Sequence, residues 1–315
     1  MYRIGVDLGG TNIAVGVVDD EFRIIGKGKV KTNSPRPAEE IFDDIAKACF
    51  MAVEDAGLTM DDIASVGVGT PGSVNQDNGT IEFSNNLGFH NVPAKKMLEE
   101  RLGKTCSFEN DANAAALGEA YAGAGKGEKN LIAVTLGTGV GSGIILDGKV
   151  LSGSNFAGGE IGHTVITVGG LQCNCGRCGC WEKYASASAL VEQTKDKMLN
   201  NKDSLMWAEV DSIDDVDGRT AFNAMYKGDK AATEVVDTYI NYVAVGITNI
   251  VNIFQPDVIC IGGGICNEGD RLLNPIREFV ARERYSKYAS KQTRICKAEL
   301  GNDAGIIGAA LINAI

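Results

Sequence analysis

One hairpin is written twice in this chain. Ile4, Val6, Leu8, Gly9 and Asp19 recur as Ile132, Val134, Leu136, Gly137 and Asp147, at one constant offset and without a gap. Each copy is an apolar strand, a turn rich in glycine and threonine, and a second apolar strand, the strand–turn–strand pattern. Two unrelated hairpins would share strand-type residues but would not keep register over the whole unit, so we read a duplication. Duplicated halves predict two related α/β domains facing each other, each offering its glycine-rich turn to a common cleft.

The rest of the chain is compatible with that plan. With 315 residues, 44% of them hydrophobic, it can bury a substantial core, and the length favours two domains over one. A third strand is expected near residues 23–30, followed by a helix from Pro37 through Ala56 with Ile41, Ile45, Ala48, Cys49 and Ala52 on one face. Short buried strands are expected at residues 63–69, 105–109 and 257–261. Helices are expected at residues 111–124, 231–254 and 303–314. The first domain should cover residues 1–112 and 302–315, and the second residues 113–301, joined through a helical hinge.

Charge and composition exclude several functions. Nucleic-acid binders usually carry a basic face, so a formal net charge of −11 argues against nucleic acid as a partner. No run of 18 apolar residues is present, and Asp7 interrupts the first apolar stretch, so neither a membrane span nor a signal peptide is expected. A soluble cytoplasmic protein follows from this reading. Of the nine cysteines, Cys173, Cys175, Cys178 and Cys180 fall within eight residues, which in a cytoplasmic chain indicates a metal site in preference to disulfides.

The first turn, Asp7-Leu8-Gly9-Gly10-Thr11-Asn12, stands where a strand ends. Its glycines admit close approach of a phosphate, Thr11 and Asn12 add side-chain hydrogen bonds, and Asp7 is placed to hold Mg²⁺ directly or through water. It is neither a Walker loop nor a dinucleotide fingerprint. Taken singly it reads first as an ordinary hairpin turn with a capping Asp. Paired with Gly137-Thr138-Gly139 it points to phosphate binding.

These two turns, with Glu160-Ile161-Gly162-His163 and the run from Cys173 through Cys175 and Cys180 to Glu182, resemble the ROK family of repressors, open-reading-frame proteins and sugar kinases. The resemblance spans nearly the whole chain, and the cysteine-rich segment is its most specific part. It implies the actin-like ATPase (ribonuclease H-like) fold, two α/β domains around a cleft. It assigns His163, Cys173, Cys175 and Cys180 to a structural Zn²⁺, three sulfurs and one nitrogen suiting a closed tetrahedral site. Cys178 falls at a position the family leaves free, although an exchange with a neighbouring cysteine stays open.

The same resemblance makes Asp111, within Glu109-Asn110-Asp111-Ala112-Asn113, the base that accepts a hexose hydroxyl proton. On residue type alone Asp111 would read first as a helix N-cap. Asn110, Glu160, His163 and Glu182 are implied at sugar hydroxyls, Gly72 and Asn86 in the same pocket, and Gly263 and Gly264 at the adenosine. Phe89 stands where many relatives carry Trp. The implied reaction is ATP-dependent phosphorylation of a hexose, glucose first, with N-acetylmannosamine, N-acetylglucosamine or fructose as alternatives and polyphosphate as an alternative donor. A sugar-responsive repressor of the family would carry a helix-turn-helix ahead of the first strand, and none is expected here. Relatives are commonly dimers or tetramers, so a homo-oligomer is implied.

Overall fold

The computed structural model describes residues 1–314. The first hairpin pairs β1 (Tyr2–Leu8) with β2 (Asn12–Val18), and β3 (Ile24–Lys31) follows. After α1 (Ala38–Asp55) come β4 (Ile63–Thr70), β5 (Ser73–Asn75), β6 (Thr80–Ser84) and β7 (Phe89–Val92). Then come α2 (Ala94–Leu102), β8 (Cys106–Asn110) and α3 (Asp111–Tyr121). The second hairpin is β9 (Leu131–Leu136) and β10 (Val140–Leu146), continued by β11 (Lys149–Val150). A helical stretch holds α4 (Glu182–Ala185), α5 (Ala187–Asn200), α6 (Thr220–Tyr226) and α7 (Lys230–Phe254). The chain closes with β12 (Val258–Gly262), α8 (Asp270–Glu283), β13 (Arg294–Lys297) and α9 (Ala304–Leu311).

The duplication read from the hairpins extends to whole sheets. One sheet runs β3-β2-β1-β4-β8 and another β11-β10-β9-β12-β13, the same order with a hairpin copy at the centre of each. In the first, β1–β2 and β2–β3 are antiparallel while β1–β4 and β4–β8 are parallel. In the second, β10–β11 is antiparallel and β12–β13 parallel. A third sheet, β5-β6-β7, is antiparallel and has no counterpart in the sequence reading. Its strands are only three to five residues long and lie among Asn and Gly residues that read as loop.

By its contacts the chain forms two compact units. The first comprises residues 1–133, 142–159 and 298–315, and the second residues 134–141 and 160–297. The core of the first unit lies where Ile4, Val6 and Leu8 of β1 and Val66 and Val68 of β4 meet Phe42 and Ile45 of α1. On the other side of that sheet α9 packs on β1 and β4, and it also packs on α3, which the sequence placed in the second domain.

The α3–α9 contact is made backbone to backbone. A Cβ added to Gly308 would stand far inside contact distance of the Ala114 carbonyl oxygen and 2.7 Å from the Gly118 nitrogen. Neither atom belongs to a flexible side chain that could yield. Gly308→Ala is therefore expected to destabilise the protein by more than about 3 kcal/mol, since added volume must move a helix. A fall in the urea midpoint, or loss of soluble protein, measures this; an unchanged midpoint would show that α9 is not packed this closely.

Candidate functional site

In the first unit the predicted residues gather around the end of β1. The turn after β1 closes with Gly9 N donating to Asn12 O at 2.9 Å. Thr32, which carried no sequence signal, holds this turn by donating its Oγ1 to Gly9 O at 2.6 Å. A Cβ on Gly10 would lie 3.7 Å from Asn86, so Asn86 borders the turn. Asn110 donates its Nδ2 to Gly72 O at 3.2 Å, which brings Gly72 to the end of β8. Gly72 itself has φ +104°, and a side chain there would strike the backbone at Phe83 and Ser84. Phe89 is buried and stacks on Phe42 at 6.4 Å, as part of the core.

The capping of α3 separates two roles that the sequence left joined. Asn110 is the N-cap, its Oδ1 accepting from Ala112 N at 2.9 Å and Asn113 N at 3.3 Å. Asp111 is the first helical residue, and its Oδ1 accepts from Ala112 N at 2.8 Å. Asp111 is thus relieved of the cap and sits in the helix's first turn, where the dipole favours a carboxylate. Glu109, buried at the end of β8, fixes this junction. It accepts from Asn110 N at 2.8 Å and from Asn113 Nδ2 at 3.0 Å, and Gln76 donates to its other oxygen.

Two acids face each other here without a cation. Burial, and after it the charge of Asp111, pushes the Asp7 carboxyl up to about 6. Burial also raises Asp111 above its ordinary value, against the lowering effect of the Ala112 N–H. Among the described residues no donor meets the Asp7 carboxylate, which lies 3.3 Å from where a Cβ on Gly305 would stand. The amide oxygen of Asn12 is buried with no partner. An unpartnered carboxylate at the end of β1 and an unpartnered amide acceptor at the start of β2 suit a hydrated divalent cation, so the residues present fit Mg²⁺.

In the second unit the turn of the repeated hairpin closes with Gly137 N donating to Gly139 O at 3.0 Å, and Ala187 N donates to Gly137 O at 2.8 Å. Thr138 stands at its tip. Glu182 reaches the same turn, its Oε2 accepting from Val140 N at 3.0 Å, while Cys173 Sγ lies 3.9 Å from its Oε1. Gly263 has φ +101° and packs against the backbone of Leu136, and Gly264 faces open space. Glu160 is exposed and accepts from His163 N at 3.1 Å through its backbone.

The thiols and the imidazole converge. Single ligand atoms of His163, Cys173, Cys175 and Cys180 all lie within 4.8 Å of one another. Cys173 Sγ is 3.7 Å from His163 Nδ1, and Cys175 Sγ is 3.6 Å from Cys180 Sγ. Bonds of about 2.3 Å to sulfur and 2.0 Å to nitrogen at tetrahedral angles give edges close to these, so the donor set fits Zn²⁺. Cys178 is outside the cluster, exposed and 3.1 Å from Gln172 Oε1. Beneath the loop, Trp181 is fully buried, its Nε1 donating to Tyr242 O at 2.8 Å.

The sequence profile of the ROK family matches residues 3–314. The chain belongs to the ROK family. A glucokinase from Halalkalibacterium halodurans is 38% identical over 309 residues, covering 98% of this chain and 93% of that one. Among solved structures, a ROK family glucokinase from Streptomyces griseus in complex with glucose and AMPPNP is 37% identical, with a TM-score of 0.79 and 98% of both chains covered. The ROK hexokinase from Thermus thermophilus is 34% identical, with a TM-score of 0.83, covering 99% of this chain and 97% of that one. The ROK fold is thereby established, the actin-like ATPase architecture that the doubled sheets display. Among the described residues, no helix is long and apolar enough to cross a membrane.

Proposed function

We infer that the protein is an ATP-dependent sugar kinase that phosphorylates glucose, by analogy at its 6-hydroxyl. Relatives 36–38% identical over 98% of this chain are glucokinases, which supports the activity. The single observation that carries the mechanism is the division of labour at α3. Asn110 takes the cap and leaves Asp111 as a half-buried carboxylate with no cationic partner among the described residues.

In the in-line transfer, Asp111 orients the attacking hydroxyl and accepts its proton as the bond to phosphorus forms, and ADP leaves with the electron pair of the broken bond. The turns at Gly9–Asn12 and Gly137–Gly139 give backbone N–H groups to phosphate oxygens, and Gly263 and Gly264 leave room for the nucleoside. Asp7 would hold Mg²⁺, directly or through water; when bound, the ion neutralises charge on the phosphates. Glu160, His163 and Glu182 take sugar hydroxyls. The carboxylates and the amides of Asn86 and Asn110 offer the acceptors and donors a hexose requires. His163, Cys173, Cys175 and Cys180 would hold a structural Zn²⁺, which when bound would fix the loop that carries Glu182 and His163.

A coupled ADP-release assay over glucose, mannose, fructose, N-acetylglucosamine and N-acetylmannosamine tests the reading, with polyphosphate run against ATP. Glucose with ATP is expected to give the highest kcat/KM. A higher value for an N-acetylhexosamine would move the substrate assignment, and no sugar-dependent ADP release from any of the five would overturn the kinase.

A further inference from the structure

The last turns of α8 and the start of β13 enclose a cavity of about 400 Å³, lined by Arg277, Val280, Arg284, Arg294 and their neighbours at residues 293–296. Its lining holds three guanidinium groups and no carboxylate, in a chain whose formal net charge is −11. Arg277 is held in place: its Nε donates to Ile295 O at 2.9 Å, and its Nη1 meets Asn274 and Asp270 at 2.8 and 3.1 Å.

Arg284 is different. It follows the last residue of α8, where a basic side chain ordinarily gives its N–H groups to the final helix carbonyls. Its backbone N–H does bond Val280 O at 2.9 Å, but its side-chain Nε is buried and meets no acceptor among the described residues. A buried donor without a partner calls for one that the protein does not supply, such as an ion.

We propose that this cavity is a binding site for a phosphoryl group, carried free or on a small organic molecule, and separate from the nucleotide turns. Guanidinium groups match phosphate oxygens in paired hydrogen bonds, which a lysine cluster would not do as selectively. The volume of about 400 Å³ lies in the range of small-molecule sites, which favours an organic phosphate over the bare ion. The strand register fixes its place in the second unit. Arg294 pairs with Val258 and Cys296 with Cys260, so the cavity borders the first residues of β12. Gly263 and Gly264 follow the other end of that strand, about 13 Å further on at strand rise. The site goes beyond the kinase reading and does not need it.

Isothermal titration of the zinc-loaded full chain, with glucose and a non-hydrolysable ATP analogue at saturation, tests it. The probes are glycerol 3-phosphate, inorganic phosphate and, as a carboxylate control, citrate. Glycerol 3-phosphate is expected to bind in the submillimolar range, to lose at least about tenfold in affinity in Arg284→Gln, and to regain only part of it in Arg284→Lys, which restores the charge but not the paired hydrogen bonds. Equal affinity for inorganic phosphate assigns the cavity to the free ion, and weaker affinity assigns it to an organic phosphate; either supports the site. No binding of either phosphate at millimolar concentration would overturn it. So would unchanged affinity in Arg284→Gln, tighter binding of citrate, or binding only when the ATP analogue is withheld. Sugar phosphorylation measured on the same variants without added anion is expected to match the unsubstituted protein, so the two readings fail independently.

Discussion

Asp111→Asn is expected to lower kcat for glucose phosphorylation by about 10²–10⁴-fold while the protein stays folded. The amide keeps the size of the side chain but has no basicity, so only the proton acceptance is removed. Substrate binding should change little, which separates a base from a residue that merely holds sugar. In the unsubstituted protein kcat/KM should fall as pH drops through the carboxyl titration. Burial raises Asp111 above its ordinary value of 3.8, so this acid limb lies higher than for a surface aspartate. Stability gives a second readout with a fixed sign. A carboxyl raised on folding favours the folded state most when protonated, and that contribution is lost as pH rises through the folded value. The Tm of Asp111→Asn relative to the unsubstituted protein should therefore increase from pH 4 to pH 8, towards a more stable but inactive variant. Normal turnover in Asp111→Asn would end the assignment.

Removal of zinc is expected to have the other large effect. Chelation, or Cys175→Ser, should release about one zinc per chain and lower Tm by several degrees, because a closed tetrahedral site contributes directly to folding. Trp181 reports the event, being buried beneath the cluster and hydrogen-bonded to Tyr242. Its emission should shift to the red, while Trp207, with Nε1 donating to Met198 O at 3.1 Å in α5, should change little. The KM for glucose should rise at least about tenfold, since Glu182 and His163 lose their support together. A metal-free protein with unchanged Tm and KM would show that the four ligands serve neither fold nor substrate. Cys178→Ser should change none of these, as its thiol faces Gln172 outside the cluster.

What could be read from the sequence was what residue type alone encodes. The hairpin repeat was legible because glycine and alternating apolar residues mark strands and turns, and it proved to extend to two sheets of the same strand order. The thiol cluster was legible because its members are close in sequence. The helices from Ala38 and Lys230 lay within a residue of expectation, their apolar faces being periodic. The sheet of β5, β6 and β7 was missed, its strands too short to show a period. The division between Asn110 and Asp111 was not legible either, because two adjacent residues at a helix start both suit a cap and only backbone geometry chooses. Gln76 at Glu109, Thr32 at Gly9 and Gly305 at Asp7 are contacts between residues far apart in the chain, each of an ordinary type. No local pattern announces them.

The packing of α9 on β1, β4 and α3 sets an order of events during synthesis. The first unit has its opening strands made early but cannot close until residues 304–311 leave the ribosome, after the whole of residues 160–297. Until then the groove that α9 will fill stays open on a nascent chain, lined by glycines and apolar side chains, while the later unit is free to form by itself. Slow translation near the 3′ end would thus lengthen the time that groove is open, and a chaperone that shields it would raise the yield of native protein.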